Sequence, residues 1–302
     1  MIKKKISIIG TSRITSHHIV AARKAGFQIF SIAATRKSSK FLDSLSKKHK
    51  IKNKFFSWKD CVNQSLKNDK NTAFVVTSPT RQNKLILKYI LKYNSKILVE
   101  KPVFSNFYEF QNLNKNKKNI FVGYNRIFYE NIIYLKKKLN NKRNLNVICD
   151  IPEKNRSVIS SNSCHIFSIL YFLFDDVKFK KKTVNKNYIN VSLNSKSAEI
   201  NIFFNFQASE NFCIKIYDKK TVYELKPIEM LKIYKGMKII NVKNQNFYKP
   251  VKINKVEQSS IKIKPGFLGQ YLAFAKFINN SKVLNNIQFA KNIQKLVNRI
   301  LN

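Results

Sequence analysis

Residues 72–102 hold the feature that most restricts how this chain can fold. A short apolar strand, Ala73-Phe74-Val75-Val76, runs into Thr77-Ser78-Pro79-Thr80. Leu85, Ile86, Tyr89, Ile90 and Tyr93 then recur at three- and four-residue spacing, the mark of a helix. A second strand, Lys96-Ile97-Leu98-Val99, delivers Glu100-Lys101-Pro102. Strand, helix and strand in this order cross over right-handed into a parallel sheet. Both strand ends then reach the carboxyl edge, where open parallel sheets bind ligands. Lys101, between an acid and a proline just past a buried strand, is the first candidate functional side chain. A solvated strand end would explain it equally well without a site around it.

The opening of the chain repeats the theme. Residues 4–9 predict a buried strand ending at Gly10-Thr11-Ser12-Arg13-Ile14. A helix over 16–25 is stopped by Gly26, and 27–33 form a second strand. This is the layout of a dinucleotide-binding half. Of the three glycines in G-x-G-x-x-G only Gly10 is present; Ser12 and Thr15 fill the other places. Serine still lets a pyrophosphate approach, and helix N-terminal amides can hold it. The turn Ala34-Thr35-Arg36-Lys37 offers no carboxylate to ribose hydroxyls before Asp43. Arg36 suits a 2′-phosphate, which favours NADP over NAD. A surface arginine in so basic a chain accounts for it as well.

A helix and a short connector over 38–51, the stretch Phe55-Phe56-Ser57-Trp58, a helix up to Leu66, a helix over 105–114 and a strand over 119–122 complete a first domain, placed at 1–122. The remainder, 123–302, changes character. Alternating stretches at 144–151, 187–193, 198–206, 211–217 and 221–225 imply a largely antiparallel sheet. An apolar helix over 164–174 interrupts them, and helices over 267–279 and 287–301 close the chain. The expected fold class is α/β: a doubly wound Rossmann sheet, then an α+β domain with an open, mainly antiparallel sheet.

The 58 Lys and Arg against 16 Asp and Glu give a net charge of +42. Such a charge invites a nucleic-acid reading, but the lysines are scattered with Asn and Ile through every segment. Lys136-Lys137-Lys138 and Lys180-Lys181-Lys182 fall where a helix end and a loop are expected, and solvated faces account for them. No specific nucleic-acid partner is expected. Cys61, Cys149, Cys164 and Cys213 form no CxxC pair, which speaks against a disulfide framework or a metal site and for a reducing cytoplasm. No apolar run reaches the length of a membrane span, and no membrane partner is expected. His17 and His18 read as helix-start residues and His49 as a surface residue.

Taken together, these motifs resemble the Gfo/Idh/MocA family of NAD(P)-dependent oxidoreductases over nearly the whole chain. Residues 8–14 with His18 look like its opening turn, Thr77-Ser78-Pro79-Thr80 like its T-P-x strand end, and Glu100-Lys101-Pro102 like its most diagnostic tripeptide. Residues 122–126 are similar to its domain junction, Asn162-Ser163-Cys164-His165 to its histidine-bearing helix start, and Lys264-Pro265-Gly266-Phe267 with Gln270 to a segment near its C-terminus. The resemblance implies hydride transfer between NADP or NAD and a sugar or nucleotide-sugar, as in surface-polysaccharide sugar synthesis, by a homodimer or homotetramer. It implies Lys101 and His165 as catalytic residues, polarising the reacting oxygen and moving its proton. Gly10, Ser12, Arg13 and Ile14 would face the pyrophosphate, and Arg36 the adenosine ribose or its phosphate. Thr77, Ser78, Pro79, Glu100, Lys101 and Asn125 would line the nicotinamide side. Arg126, Tyr129, Ser161 and Asn162 would join Lys101 and His165 around substrate. A satisfied buried histidine is the plainer account of His165, and junction packing that of Arg126 and Tyr129. The sequence departs from the family at Ser161 and Ser168, where carboxylates are common, and at Asn83, where a histidine is. These changes leave room for a non-catalytic nucleotide-binding relative.

Overall fold

Strands that are apolar on both faces need cover on both sides, and the first sheet is built of such strands. In the computed structural model, which describes residues 4–36, 40–113, 115–243, 245–257, 263–280 and 282–302, the chain forms two compact units. One comprises residues 1–128 and 260–295, the other 129–259 and 296–302.

The first unit alternates β1 (Lys5–Ile9), α1 (Arg13–Lys24), β2 (Gln28–Ala33), α2 (Lys40–Lys48), β3 (Asn53–Phe55), α3 (Trp58–Asn68), β4 (Ala73–Val76), α4 (Thr80–Leu91), β5 (Ile97–Glu100) and β6 (Ile120–Gly123). All six strands are parallel, in the order β3-β2-β1-β4-β5-β6, the doubly wound arrangement the sequence predicts. Residues 37–39 and 114, which the expected turn and the 38–51 and 105–114 helices include, lie outside the described residues. Beyond β5 the chain forms a 3₁₀ turn, Phe107–Asn112, rather than an α-helix. Asn106 and Glu109 close it with a reciprocal capping box.

The C-terminal stretch corrects the expected domain assignment. The second-domain reading assigns it everything after residue 122, but residues 260–295 return to the first unit. The physical reason is an apolar stripe on a helix near the C-terminus. Phe267, Tyr271, Phe274 and Phe277 bury themselves in one core with Ile6, Ile8, Ala22, Val75 and Phe121.

In the second unit α5 (Glu130–Leu139) precedes β7 (Leu145–Pro152), α6 (Cys164–Phe174), β8 (Lys178–Val184), β9 (Tyr188–Asn194), β10 (Ala198–Asn205), β11 (Cys213–Asp218), β12 (Thr221–Leu225), β13 (Met230–Val242) and β14 (Gln245–Glu257). The two closing helices are α7 (Phe267–Ile278) and α8 (Ile287–Leu301). The eight strands run in the order β14-β13-β12-β11-β7-β10-β9-β8, antiparallel except for β7 beside β10. Along β7 the odd residues Leu145, Val147, Cys149 and Ile151 are buried, while Asn146 and Ile148 are exposed. One sheet face therefore packs on the core, and the other is open.

Three strands depart from the sequence reading. Lys180, Lys181 and Lys182 sit in β8 and not in a loop; lysines suit an edge strand because they discourage further pairing. Strands β13 and β14 make a 13-residue ribbon that no apolar alternation announces. The membrane expectation also needs correcting. A continuous helical run, Arg156–Phe174, is long and apolar enough by length and composition to cross a membrane, and 61 % of its apolar window is buried inside the protein. Burial as a core helix accounts for that apolarity.

Candidate active site

In the first unit the sheet's carboxyl edge is assembled around Gly10. Its φ of +124° belongs to glycine, and a Cβ there would lie 2.6 Å from the carbonyl carbon of Thr77. The end of β1 therefore presses on the end of β4. Thr15 stands where the third fingerprint glycine would give close helix–strand packing. Its buried hydroxyl donates to the Gly10 carbonyl at 3.2 Å and lies 2.9 Å from the Thr77 hydroxyl. Ser12 donates to the Thr77 carbonyl at 3.4 Å. A hydrogen-bonded Thr–Thr contact thus replaces the missing glycine, and the turn closes without it. Ser12 caps α1 without bonding its amides, and no acid stands in that helix's first turn. The donor set fits a pyrophosphate. Arg13 is exposed at the first helical position beside Ile14, and Arg36 is exposed after β2. Gln82 of α4 donates to the Thr35 carbonyl at 3.3 Å, and so ties α4 to that turn.

At the next strand ends, Thr77 spends its hydroxyl inward on Thr15, so its contribution to a ligand is backbone and shape. Ser78 donates to Asn83 at 2.7 Å, and Asn83 donates to the Val103 carbonyl at 2.9 Å. Asn83, the departure from the family pattern, therefore laces the Pro79 and Pro102 turns together. Lys101-Pro102 is a cis peptide. Asn125 is buried and donates to the Pro265 carbonyl at 2.9 Å, so its amide fixes the segment before α7.

The structure overturns the reading of one histidine, His49, and gives another, His18, more than a place on a helix. His18, within α1, is fully buried, with Nε2 3.0 Å from Glu100 Oε1 and Nδ1 2.9 Å from the Tyr271 hydroxyl. Nδ1 and the tyrosyl hydroxyl share a hydrogen bond, while Nε2 faces the carboxylate Oε1 at ion-pair distance and neither of those two atoms has a hydrogen-bond partner among the described residues. Gly123 makes the room, since a Cβ there would lie 2.6 Å from Glu100 Oε1. Burial, with Glu100 nearby, raises the Tyr271 pKa. His49 is likewise buried, with Nε2 2.8 Å from the Ser16 hydroxyl; burial, Lys48 and Arg23 lower its pKa. Glu100 is the one acid in a basic group. Burial lowers the Lys264 pKa, Glu100 opposes that shift, and Lys101 and Arg126 reinforce it.

In the second unit Tyr129 is buried at the N-terminal boundary of α5. Ser161 lies in the π-helical turn Ile159–Ser163 before α6, exposed, and donates to the Val158 carbonyl at 3.2 Å. π-turns of this kind recur at functional sites. His165 is buried in the first turn of α6, and Ser168 donates to its carbonyl at 2.7 Å. The sequence reading missed Glu153, a carboxylate 7 % exposed just past β7. It accepts from Asn162 at 3.1 Å and from the Ser163 hydroxyl. The acid absent at Ser161 and Ser168 is thus supplied to this helix start from another element. The available signal was an acid ending a strand in a chain with few acids.

Residues 4–124 match the model of the GFO_IDH_MocA oxidoreductase family, NAD-binding Rossmann fold. Those residues are similar to the family's NAD-binding domain. No curated protein matches the sequence. Among solved structures, a dehydrogenase from Clostridium difficile superposes with a TM-score of 0.75 at 18 % identity, covering 99 % of both chains. A Gfo/Idh/MocA family oxidoreductase from Vibrio cholerae gives 0.72 at 13 % identity, over 98 % of this chain and 95 % of the other. Levoglucosan dehydrogenase, in complex with NADH and levoglucosan, gives 0.74 at 9 % identity, over 99 % and 96 %. At these identities the superpositions establish the shared fold. Over residues 4–124 the chain is similar to an NAD-binding oxidoreductase family.

Proposed function

We propose that the protein transfers a hydride between a nicotinamide coenzyme and a carbon bearing a sugar or nucleotide-sugar hydroxyl or the corresponding ketone. One observation carries this reading: Glu100, with Lys101 next in sequence, is anchored at the sheet's carboxyl edge by the buried His18–Tyr271 pair, beside the Gly10 turn. The coenzyme, when bound, supplies the hydride acceptor or donor. The α1 amides and Ser12 bind its pyrophosphate, and Arg36 takes the 2′-phosphate of NADP. Thr77, Ser78 and Pro79 shape the nicotinamide side. Lys101 donates a hydrogen bond to the reacting oxygen, and His165 takes up or returns its proton. Glu153 holds the start of the helix that carries His165. Arg126 and Asn162 are the candidates for binding substrate hydroxyls. The levoglucosan dehydrogenase neighbour supports a sugar as substrate. The four buried cysteines, which form no disulfide, support a reducing cytoplasm. A non-catalytic coenzyme-binding relative is the second reading, favoured by the serines at 161 and 168.

The test is coenzyme binding followed by turnover. NADPH and NADH are titrated against the protein by nicotinamide fluorescence, and a panel of polyols, hexoses and nucleotide-sugars is then assayed for coenzyme reduction. Lys101→Ala and His165→Ala should each cut kcat by at least about a hundredfold and keep coenzyme affinity. Failure to bind either coenzyme, or turnover that survives Lys101→Ala, defeats the proposal. Binding without turnover on any of the panel selects the non-catalytic reading.

A further inference from the structure

The amino edge of the first unit's sheet, opposite the edge where such folds bind nucleotides, carries a second concavity. A pocket of about 520 Å³ opens among the starts of β1, β4 and β5 and the turn before β6. Lys4, Lys5, Lys70, Lys96 and Lys118 line it, with Asp69 as the one acid. A neighbouring pocket of about 560 Å³ shares Lys96, Lys118 and Asn280, and adds Lys117 and Lys282. Seven lysines therefore surround two joined pockets against a single carboxylate.

Some lysines elsewhere pair with carboxylates, as Lys142 does with Asp218 and Lys215 with Glu224, and others donate to carbonyls, as Lys182 does to Arg299 and Ile300. Here Lys4, Lys5 and Lys96 are held by neutral acceptors. Lys5 donates to Asn68 at 3.1 Å, and Lys4 to the Ala275 carbonyl at 3.1 Å. Lys96 donates to Asn119 at 3.1 Å and to Asn280 at 2.8 Å, with its ammonium 5.1 Å from the centre of the Phe277 ring. Asp69 directs one oxygen to the Asn71 amide at 2.9 Å, closing its own turn. Ser95, also in the lining, is 6 % exposed and its hydroxyl has no partner in the protein. Lys4 and Lys96 are thus positioned and partly desolvated, with no carboxylate paired to either among the described residues. Burial and the Lys118 charge lower the Lys96 pKa, the repulsion that a bound anion would reverse.

We propose that this double pocket binds an oligophosphate, a chain of two or three phosphate groups lying along the lysines from Lys5 and Lys70 past Lys96 to Lys282. A single phosphate would meet only part of the cationic wall, whereas a longer chain brings more charge to it. The test is calorimetric titration of tripolyphosphate into the NADH-saturated protein in about 150 mM NaCl, where diffuse surface attraction is largely screened. One saturable site is expected, with a rise in Tm. Lys96→Gln/Lys118→Gln should weaken it at least about tenfold, with the unliganded Tm unchanged or higher. Lys180→Gln/Lys181→Gln on β8 should leave it intact. ATP should bind through the same lysines if a nucleotide carries the phosphates; tripolyphosphate alone, if the free chain is the ligand. Equal weakening by both variant pairs overturns the proposal in favour of general surface charge. Competition with NADH assigns the binding to the coenzyme edge and overturns it too. Tighter binding of a DNA duplex, lost in the same variant, replaces it with a nucleic-acid interface.

Discussion

A carboxylate largely withdrawn from water and set one residue before a lysine would disturb that lysine unless its charge were engaged elsewhere. Glu100 meets this condition through His18, and His18 through Tyr271. His18→Leu should therefore cost about 1–3 kcal/mol, the penalty for stranding a buried acceptor, and Tyr271→Phe about 1 kcal/mol. In the double variant the losses should fall short of additive by more than about 0.5 kcal/mol, because both act through one imidazole. Urea unfolding of the four proteins measures this coupling; strict additivity would show that the three groups merely sit together. A second prediction at this scale concerns Cys61. Burial pushes its thiol up to about 11, with Ser31 and Ser65 opposing the shift. The neutral thiol is favoured by the fold, so its contribution is intact below the thiol's ordinary value near 9. It is lost as pH rises from there through 11. Stability should fall by about 1.4 kcal/mol per pH unit across that window. Cys61→Ala should flatten the slope there, as followed by chemical unfolding at each pH.

At the scale of elements, the ribbon of β13 and β14 is a test of what packing contributes. Every described residue from 235 to 250 is exposed or only half-buried, and Ile239 and Tyr248 are 61 % and 70 % exposed. Replacing residues 237–249 with a two-residue Asn-Gly turn should leave Tm within about 2 °C, since almost no core is removed. A large drop on scanning calorimetry would mean the ribbon is covered in solution. The same property explains which elements could be read from sequence. β4, β5 and α6 are apolar because they are buried, and β7 alternates because one face is. The ribbon tip and the lysine-rich β8 bury little, so neither periodicity appears in them. The site divides along similar lines. Glu100-Lys101-Pro102 and the Gly10 turn are contiguous and legible. The burial of His18 depends on Tyr271, which is 253 residues away, and the role of Thr15 depends on Thr77. Glu153 meets Asn162 and Ser163 only once β7 and the π-turn are folded. Local patterns carry the elements, whereas pairings between distant residues belong to the tertiary fold.

For the whole molecule, the net charge of +42 is the dominant global property. Ion pairs do not remove it: among described residues they join exposed or half-exposed lysines to few acids, and such surface pairs contribute little each. Self-repulsion of the remaining cations is relieved when the chain expands on unfolding, so it opposes folding, and screening should weaken that opposition. Raising NaCl from about 20 mM to about 500 mM shortens the Debye length from roughly 20 Å to roughly 4 Å. Tm should therefore climb by several degrees over that range, most steeply at its lower end, as read by circular dichroism. A matched series in sodium sulfate at equal ionic strength separates two effects. Pure screening gives the same curve for both salts once the general stabilisation by sulfate is matched in an uncharged osmolyte. A sulfate curve that instead saturates at low concentration, and loses that saturation in Lys96→Gln/Lys118→Gln, would place part of the charge problem at the amino edge of the first sheet. A fall in Tm with salt would mean that attractive pairs outweigh repulsion despite the imbalance of lysines over acids.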